Sequence, residues 1–177
     1  VQNIIHGRWF DESIDKAYSF DEDYSKMIVD KGLFVDSTIS KHLLEYESEL
    51  KGEEQRPSNP NINSEPTFES IINIFRYLDS EGVKIIGALD MGMSKADFNK
   101  AVASAWAHVE WLGFDHWKAI KSITSTNAEA MRIDDRKGLI SKGYDADMVF
   151  FKKNPIENIR NLVFNPQHVI KEGEKIF

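Results

Sequence analysis

Two side chains in this sequence combine a chemically useful type with a telling position. His6 closes an apolar opening, Val1-Gln2-Asn3-Ile4-Ile5-His6-Gly7, and Asp90 follows the run Val83-Lys84-Ile85-Ile86-Gly87-Ala88-Leu89 just before Gly92. A near-continuous apolar run of this length, followed by a helical pattern, reads as a parallel strand covered on both faces. In barrels of alternating strands and helices, chemistry gathers where the strands end at their C-terminal rim. If both runs belong to one such barrel, an imidazole and a carboxylate converge on its mouth. That pair suits Zn²⁺ or a similar divalent ion. Such an ion lowers the pKa of water toward ~7 and polarises a substrate carbonyl. A carboxylate beside it can take the water's proton and pass it to a leaving amine.

Plainer readings of the same residues stand beside this one. A histidine before a glycine often only makes a hydrogen bond, and an aspartate after a strand often caps a helix or shapes a turn. Catalytic zinc usually has three protein ligands, and here there are two. Residue chemistry alone leaves the choice open. The remaining histidines have no partner at ligand spacing. His42 falls in an acidic stretch, His108 on the polar side of a helix, His116 at a helix start and His168 at the start of a hairpin. Of the four tryptophans (9, 106, 111 and 117), only Trp9 follows a rim position closely enough to touch a substrate.

The elements that must hold His6 and Asp90 follow from periodicity. Residues 1–7 read as a strand, and the acidic stretch 11–23 leads into a helix whose apolar face is Tyr24, Met27 and Ile28, with Gly32 at its C-terminal cap. Residues 33–38 (Leu-Phe-Val-Asp-Ser-Thr) form the next strand, giving one β–α–β unit. The segment 40–66 is rich in Glu and then in Pro and Asn, and reads as a long polar loop, either a lid or a solvated insertion. A helix capped by Thr67 buries Phe68, Ile71, Ile72, Phe75 and Leu78, and Gly82 ends it before the strand at 83–89. Ser94 with Asp97 resembles a capping box for a helix that buries Phe98, Val102, Trp106 and Val109. Asp115 caps a further helix, and Thr126 with Glu129 opens a short one. From residue 138 the pattern turns strand-like, ending in a hairpin at Glu172-Gly173.

Bulk properties narrow the class. The chain has 177 residues, 41% of them hydrophobic, enough for a real core. Its net charge of -7 and pI near 5.3 argue against nucleic acid or an anionic membrane surface as main partner. No apolar run approaches the ~20 residues of a membrane helix. Cysteine is absent, which excludes disulfides and a thiol nucleophile and leaves His and carboxylate for any metal site; a cytoplasmic location is expected. Three β/α units cannot close a barrel that takes eight and roughly 250 residues, and exposed sheet edges are avoided. With an opening that reads as the inside of a strand, the expectation is the C-terminal part of a longer protein, self-associating or completed by a missing N-terminal half.

Several segments together resemble the C-terminal half of an enzyme of the amidohydrolase superfamily, in its imidazolonepropionase-like and Xaa-Pro dipeptidase-like (prolidase-like) branch. Ile5-His6-Gly7, then Lys31-Gly32-Leu33-Phe34-Val35-Asp36-Ser37-Thr38, resemble the sixth and seventh barrel strands of that family, and Gly82 with the run through Asp90-Met91-Gly92 its eighth. The most specific likeness is Ile123-Thr124-Ser125-Thr126-Asn127-Ala128-Glu129-Ala130, Arg136-Lys137-Gly138-Leu139-Ile140 and Lys142-Gly143-Tyr144-Asp145-Ala146-Asp147-Met148-Val149. Val169-Ile170-Lys171-Glu172-Gly173-Glu174-Lys175-Ile176 resembles the closing hairpin.

The resemblance implies an α/β fold: the last three β/α units of a TIM (β/α)8 barrel over residues 1–134, and strands of a small composite β-sandwich over 135–177. It implies hydrolysis of a C–N bond in a dipeptide, small amide or cyclic amide, with one or two divalent ions, zinc above all. His6 and Asp90 then bind metal, Asp90 is the proton shuttle, and Thr38 lies near the substrate pocket. The family's His-x-His pair, bridging lysine and fifth-strand histidine have no counterpart here, so the chain alone is expected to be inactive. Ile5, Leu89 and Met91 depart from the family pattern, where Glu, Ser or Thr, and a small residue are usual. Those departures motivate a rival reading, a barrel remnant that binds or assembles without catalysis; a lyase or isomerase using Asp90 as a metal-free base is a third.

Overall fold

Three short runs pair in parallel: β1 (Asn3–Ile4), β4 (Phe34–Asp36) and β5 (Lys84–Ile86), in the order β1-β4-β5. Ile4, Val35 and Ile85 lie in one register row and join the main core on the helical side of the sheet. The alternating positions Phe34 and Ile86 form a small separate cluster with Ala130 on the other face. The computed structural model describes residues 2–6, 10–11, 16–17, 21–51, 66–92 and 95–177. Trp9, the Ser94 half of the expected capping box, the side chains of Thr67 and Phe68, and the Pro- and Asn-rich part of the expected loop lie outside the described residues.

Between β1 and β4 come a small antiparallel ladder, β2 (Phe10–Asp11) with β3 (Lys16–Ala17), and α1 (Glu22–Asp30). The ladder falls where the acidic composition predicts only a helix approach. Asp21 caps α1 by accepting from the Tyr24 N–H at 2.9 Å. The face that α1 buries is Ser25 and Ile28, whereas Tyr24 and Met27 are exposed. The Ser25 hydroxyl donates back to the Asp21 carbonyl, which lets a polar residue sit inside.

The expectation of a loop from residue 40 is overturned in its first part. Ser40–Leu50 is a helix, α2, with Leu43 and Leu44 buried, because two apolar neighbours among the glutamates suffice to anchor a helix on the core. α3 (Pro66–Ser80) buries Ile71, Ile72, Phe75 and Leu78 as the periodicity predicts, and Ile74 as well. Gly82, at φ 86°, then turns the chain into β5.

After β5, a 3₁₀ turn (Phe98–Lys100) precedes α4 (Ala103–Leu112), α5 (His116–Ser122) and α6 (Ser125–Ala130). Phe98 is exposed instead of buried, because the helix proper begins only at Ala103. α4 packs against α2, α3 and α5 and is buried nearly all round. Asp115 caps α5 as expected, accepting from the Lys118 N–H at 2.7 Å. Thr124, not Thr126, occupies the N-cap position of α6.

The tail forms a second, antiparallel sheet: β6 (Met148–Phe150), β7 (His168–Lys171) and β8 (Glu174–Lys175), in that order. The closing hairpin turns at Glu172 (φ 51°) and Gly173 (φ 84°), both left-handed as a type I′ turn requires. Residues 138–147 are turns and bends, not the strands that alternation predicts. Gly138, at φ 92°, comes so close to Ser125 and Ala128 that an added Cβ would stand 2.8 Å from the Ala128 Cβ. Lys137 holds Asp145 and Asp147, so the Gly-Tyr-Asp-Ala-Asp segment is tied down by charge. The tail meets the helical layer at Trp106, whose Nε1 donates to the Leu162 carbonyl at 3.0 Å. Its ring lies 4.7 Å from that of Phe164 and 4.3 Å from the Arg160 guanidinium, which also pairs with Glu47 and Glu110. Among the described residues no helix is long and apolar enough to cross a membrane.

Candidate functional site

Because β1, β4 and β5 are parallel, their C-terminal ends share one edge of the sheet. Just beyond it stand His6, Thr38 and Asp90, each with a left-handed backbone (φ 70°, 46° and 58°). A non-glycine residue held there costs roughly 1–3 kcal/mol, and for a β-branched threonine the conformation is a genuine outlier. Strain of this kind persists only where the surroundings over-determine it, and it clusters at functional sites. The side chains of His6 and Asp90 are exposed, while Thr38 is buried.

Thr38 is the joint between the strand ends. Its Oγ1 lies 2.9 Å from His6 Nδ1. When Nδ1 carries the ring proton and donates it to Thr38, the lone pair on Nε2 is left free on the exposed side. The Thr38 backbone N–H donates to Asp36 Oδ1 at 2.9 Å, a short-range turn that favours the left-handed φ.

Asp36 is buried, and its carboxylate also accepts the backbone N–H of Ala88, two residues before Asp90. Burial pushes its pKa up to about 6; the Thr38 and Ala88 N–H groups and the nearby His6 ring pull the other way, and the Asp90 charge adds to the rise. His6 and Asp90 thus both act electrostatically on the carboxyl lying between them.

The Gly87-Ala88 segment leading to Asp90 is held on every backbone polar group. Gly87 N–H donates to the Ser122 carbonyl at 2.9 Å, and the Gly87 carbonyl accepts from Asn127 Nδ2 at 2.8 Å. Ala88 N–H goes to Asp36, and the Ala88 carbonyl accepts from the Ser40 hydroxyl at 3.1 Å. Gly87 also admits no side chain: a Cβ would meet Ile123 Cγ2 at 2.5 Å.

Behind this edge lies His108, which amphipathic reasoning places on the polar side of its helix and the structure buries completely. The Ser122 hydroxyl donates to the Ala119 carbonyl at 2.7 Å, so it accepts from His108 Nδ1 at 2.8 Å. Nε2 then accepts from the Ser37 hydroxyl at 3.2 Å, which fixes a neutral ring. Burial drives the His108 pKa down to about 3, and the Lys118 charge adds to the fall.

Of the residues singled out from sequence, the structure brings His6 and Thr38 into contact and sets Asp90 on the same edge; Trp9 lies outside the described residues. Sequence reasoning passed over Asp36 and His108. An acid inside a buried run and two residues before a threonine was the available signal for Asp36; nothing local announced His108. Two hollows, about 220 and 210 Å³, open instead at the N-terminal end of β5, around Gly82, Val83 and Lys84, and none of the candidate residues lines either.

As metal donors, an exposed imidazole with a free nitrogen and an exposed carboxylate are the right types for a divalent ion. Among the described residues no group of three or more His, Asp or Glu is placed to hold one. The pair fits as part of a ligand set, not as the whole of it.

The profile of the amidohydrolase family matches residues 4–176, and the chain belongs to that family. Its fold is shared with a Xaa-Pro dipeptidase crystallised with methionine in its active site, at 28% identity and a TM-score of 0.74, over 99% of this chain and 39% of that one. A putative prolidase from Bifidobacterium longum is 20% identical, with a TM-score of 0.76, over 100% of this chain and 42% of its own. The ochratoxinase of A. niger is likewise 20% identical, with a TM-score of 0.72, over 98% and 36%. At 20% identity these last two speak to fold alone. The chain thus spans about two fifths of the length of these structures. No curated protein sequence matches it.

Proposed function

We propose that this chain contributes the last three β/α units of a (β/α)8 barrel, over residues 1–134, and strands of a composite β-sandwich, over 135–177, to a metal-dependent amidohydrolase. The enzyme hydrolyses a C–N bond, and its substrate class is a dipeptide of the Xaa-Pro kind, the class named for the 28% identical relative. The observation that carries this reading is the row of three left-handed strand ends, His6, Thr38 and Asp90, with the His6 ring tethered through Nδ1 to Thr38.

His6 and Asp90 would hold a divalent ion, best matched by zinc in donor type, together with donors from outside the described residues. When bound, such an ion supplies Lewis acidity, polarising the scissile carbonyl and making water a stronger acid. Thr38 keeps the His6 ring oriented. Asp90 Oδ accepts a proton from the attacking water as its oxygen bonds to the carbonyl carbon. The same oxygen then gives that proton to the amide nitrogen as the C–N bond breaks, yielding an acid and an amine.

The test is turnover and zinc content of Asp90→Asn in the full-length enzyme, with Xaa-Pro dipeptides as substrates. A fall of at least 10²-fold in kcat with the fold intact is expected, since the variant loses its proton carrier, a role worth roughly 10²–10⁴ on its own. Near-wild-type turnover would sink the role of Asp90, and a protein that binds no zinc and cleaves nothing would favour the rival reading of a non-catalytic binding module.

A further inference from the structure

The rim needs its two exposed groups held at fixed positions, yet neither His6 nor Asp90 is packed. Both are governed by what their neighbours touch, and the two chains of contact meet at one buried side chain. From Asp36 Oδ1 the path runs to the Thr38 N–H and, through Thr38 Oγ1, to the His6 ring. From the same carboxylate it runs to the Ala88 N–H, and so to the two residues that lead into Asp90. We propose that Asp36 is the positioning residue of this site, the group that sets the ends of β4 and β5 so that His6 and Asp90 face a common ligand.

Three features separate this role from ordinary core filling. Asp36 is 5% exposed, and a carboxyl is costly to bury unless hydrogen bonds satisfy it. Its two backbone donors come from different strand ends, so no single local turn accounts for it. Both donors also lead to residues with left-handed backbones, Thr38 itself and Asp90. The other contacts on the Gly87-Ala88 segment, from Ser40, Ser122 and Asn127, all come from the helical side. Among the described residues, Asp36 is the side chain of β4 that reaches this segment, extending the Asp36–Ile86 strand pairing to Ala88 and linking it to the His6 partner.

This inference rests on the reading of His6 and Asp90 as metal-site residues, and its test separates the two. In the full-length enzyme, Asp36→Ala should speed amide hydrogen exchange at Thr38 and Ala88 by at least tenfold while exchange at Phe75 and Leu78 in the core stays unchanged. Zinc affinity should fall 10–100-fold, the range for losing a partner that orients a ligand. kcat should fall at least tenfold with KM within threefold. Asp36→Asn keeps one oxygen for the Thr38 N–H and should restore protection at Thr38. Unchanged exchange at Thr38 and Ala88 would overturn the inference, and so would an equal rise at Phe75, the mark of a general loss of stability. Faster exchange with wild-type kcat and zinc affinity would overturn it too, while leaving the site reading standing. Full activity and zinc affinity in Asp90→Asn would instead refute the site reading.

Discussion

Replacing His108 by glutamine should change how the protein's stability depends on pH, in a direction fixed by the burial of the ring. The folded state holds His108 neutral, with its pKa driven to about 3, whereas the unfolded chain takes up a proton near 6.5. Below pH 6.5 the unfolded state binds the extra proton, so stability falls as pH falls, down to about pH 3. At pH 5 an unfolded histidine is protonated about 30:1, which is a penalty of about 2 kcal/mol. This figure needs only that the folded ring remain neutral at pH 5. Asp36 works with the opposite sign. Its folded pKa of about 6 lies above the ordinary 3.8, so the folded state takes the proton first and gains stability as pH falls from 6 to 3.8. Between pH 7 and 5 that gain is about 1 kcal/mol, which offsets part of the histidine penalty in the wild type. Glutamine removes the titrating ring and leaves Asp36. Urea unfolding at pH 7, 6 and 5 should therefore show the stability gap between wild type and His108→Gln shifting by about 2 kcal/mol toward the variant as pH drops. Parallel pH profiles would mean that the buried ring takes up a proton in the folded state, and the argument from burial would fail.

Other substitutions test the packing. Gly87→Ala places a methyl 2.5 Å from Ile123 Cγ2 and 3.0 Å from the Ser104 Cβ; thermal unfolding should show a loss of about 1–3 kcal/mol, because β-branched Ile123 has little room to rotate away. Phe75→Ala empties a fully buried site and should cost about 3–5 kcal/mol in the same assay. Trp106→Phe leaves the buried Leu162 carbonyl without its donor. A loss of about 1–3 kcal/mol is expected, with hydrogen exchange rising first in residues 158–164.

How much of this was legible depends on how local the determining interaction is. The strands at Ile4, Val35 and Ile85, and the stripe Ile71, Ile72, Phe75 and Leu78, showed in the sequence because burial on one element leaves a period. His6 and Asp90 showed because strand ends are marked by the break that follows them. α2 did not, because its buried Leu43 and Leu44 are two residues among many charges, and composition outweighed them. His108 was misplaced for a related reason. On α4 the residues Ala103, Ser104, Ala105, Trp106, Ala107 and His108 are all buried, so the helix has no polar side for a histidine to occupy. A periodicity argument assumes one wet face, and α4 has almost none.

That missing wet face bears on the site itself. The small residues of α4, Ala103, Ser104, Ala105 and Ala107, add little apolar area to the core; they matter because they allow close approach. Ser104 reaches Ser40 at 3.1 Å, Ser40 reaches the Ala88 carbonyl, and the Ser104 Cβ lies where a side chain on Gly87 would go. His108 meanwhile reaches Ser37, the residue between Asp36 and Thr38. The ends of β4 and β5 are therefore fixed from behind through Ser104 and His108 of α4, and from between by Asp36. A larger, apolar α4 would bury more surface, yet it would force β5 away and leave the carbonyl of Ala88 and the hydroxyl of Ser37 without partners. Three left-handed residues at the strand ends cost energy that a helix chosen only for stability would not have to offset. The polar, closely approached back of this sheet is what a rim held to a fixed geometry requires.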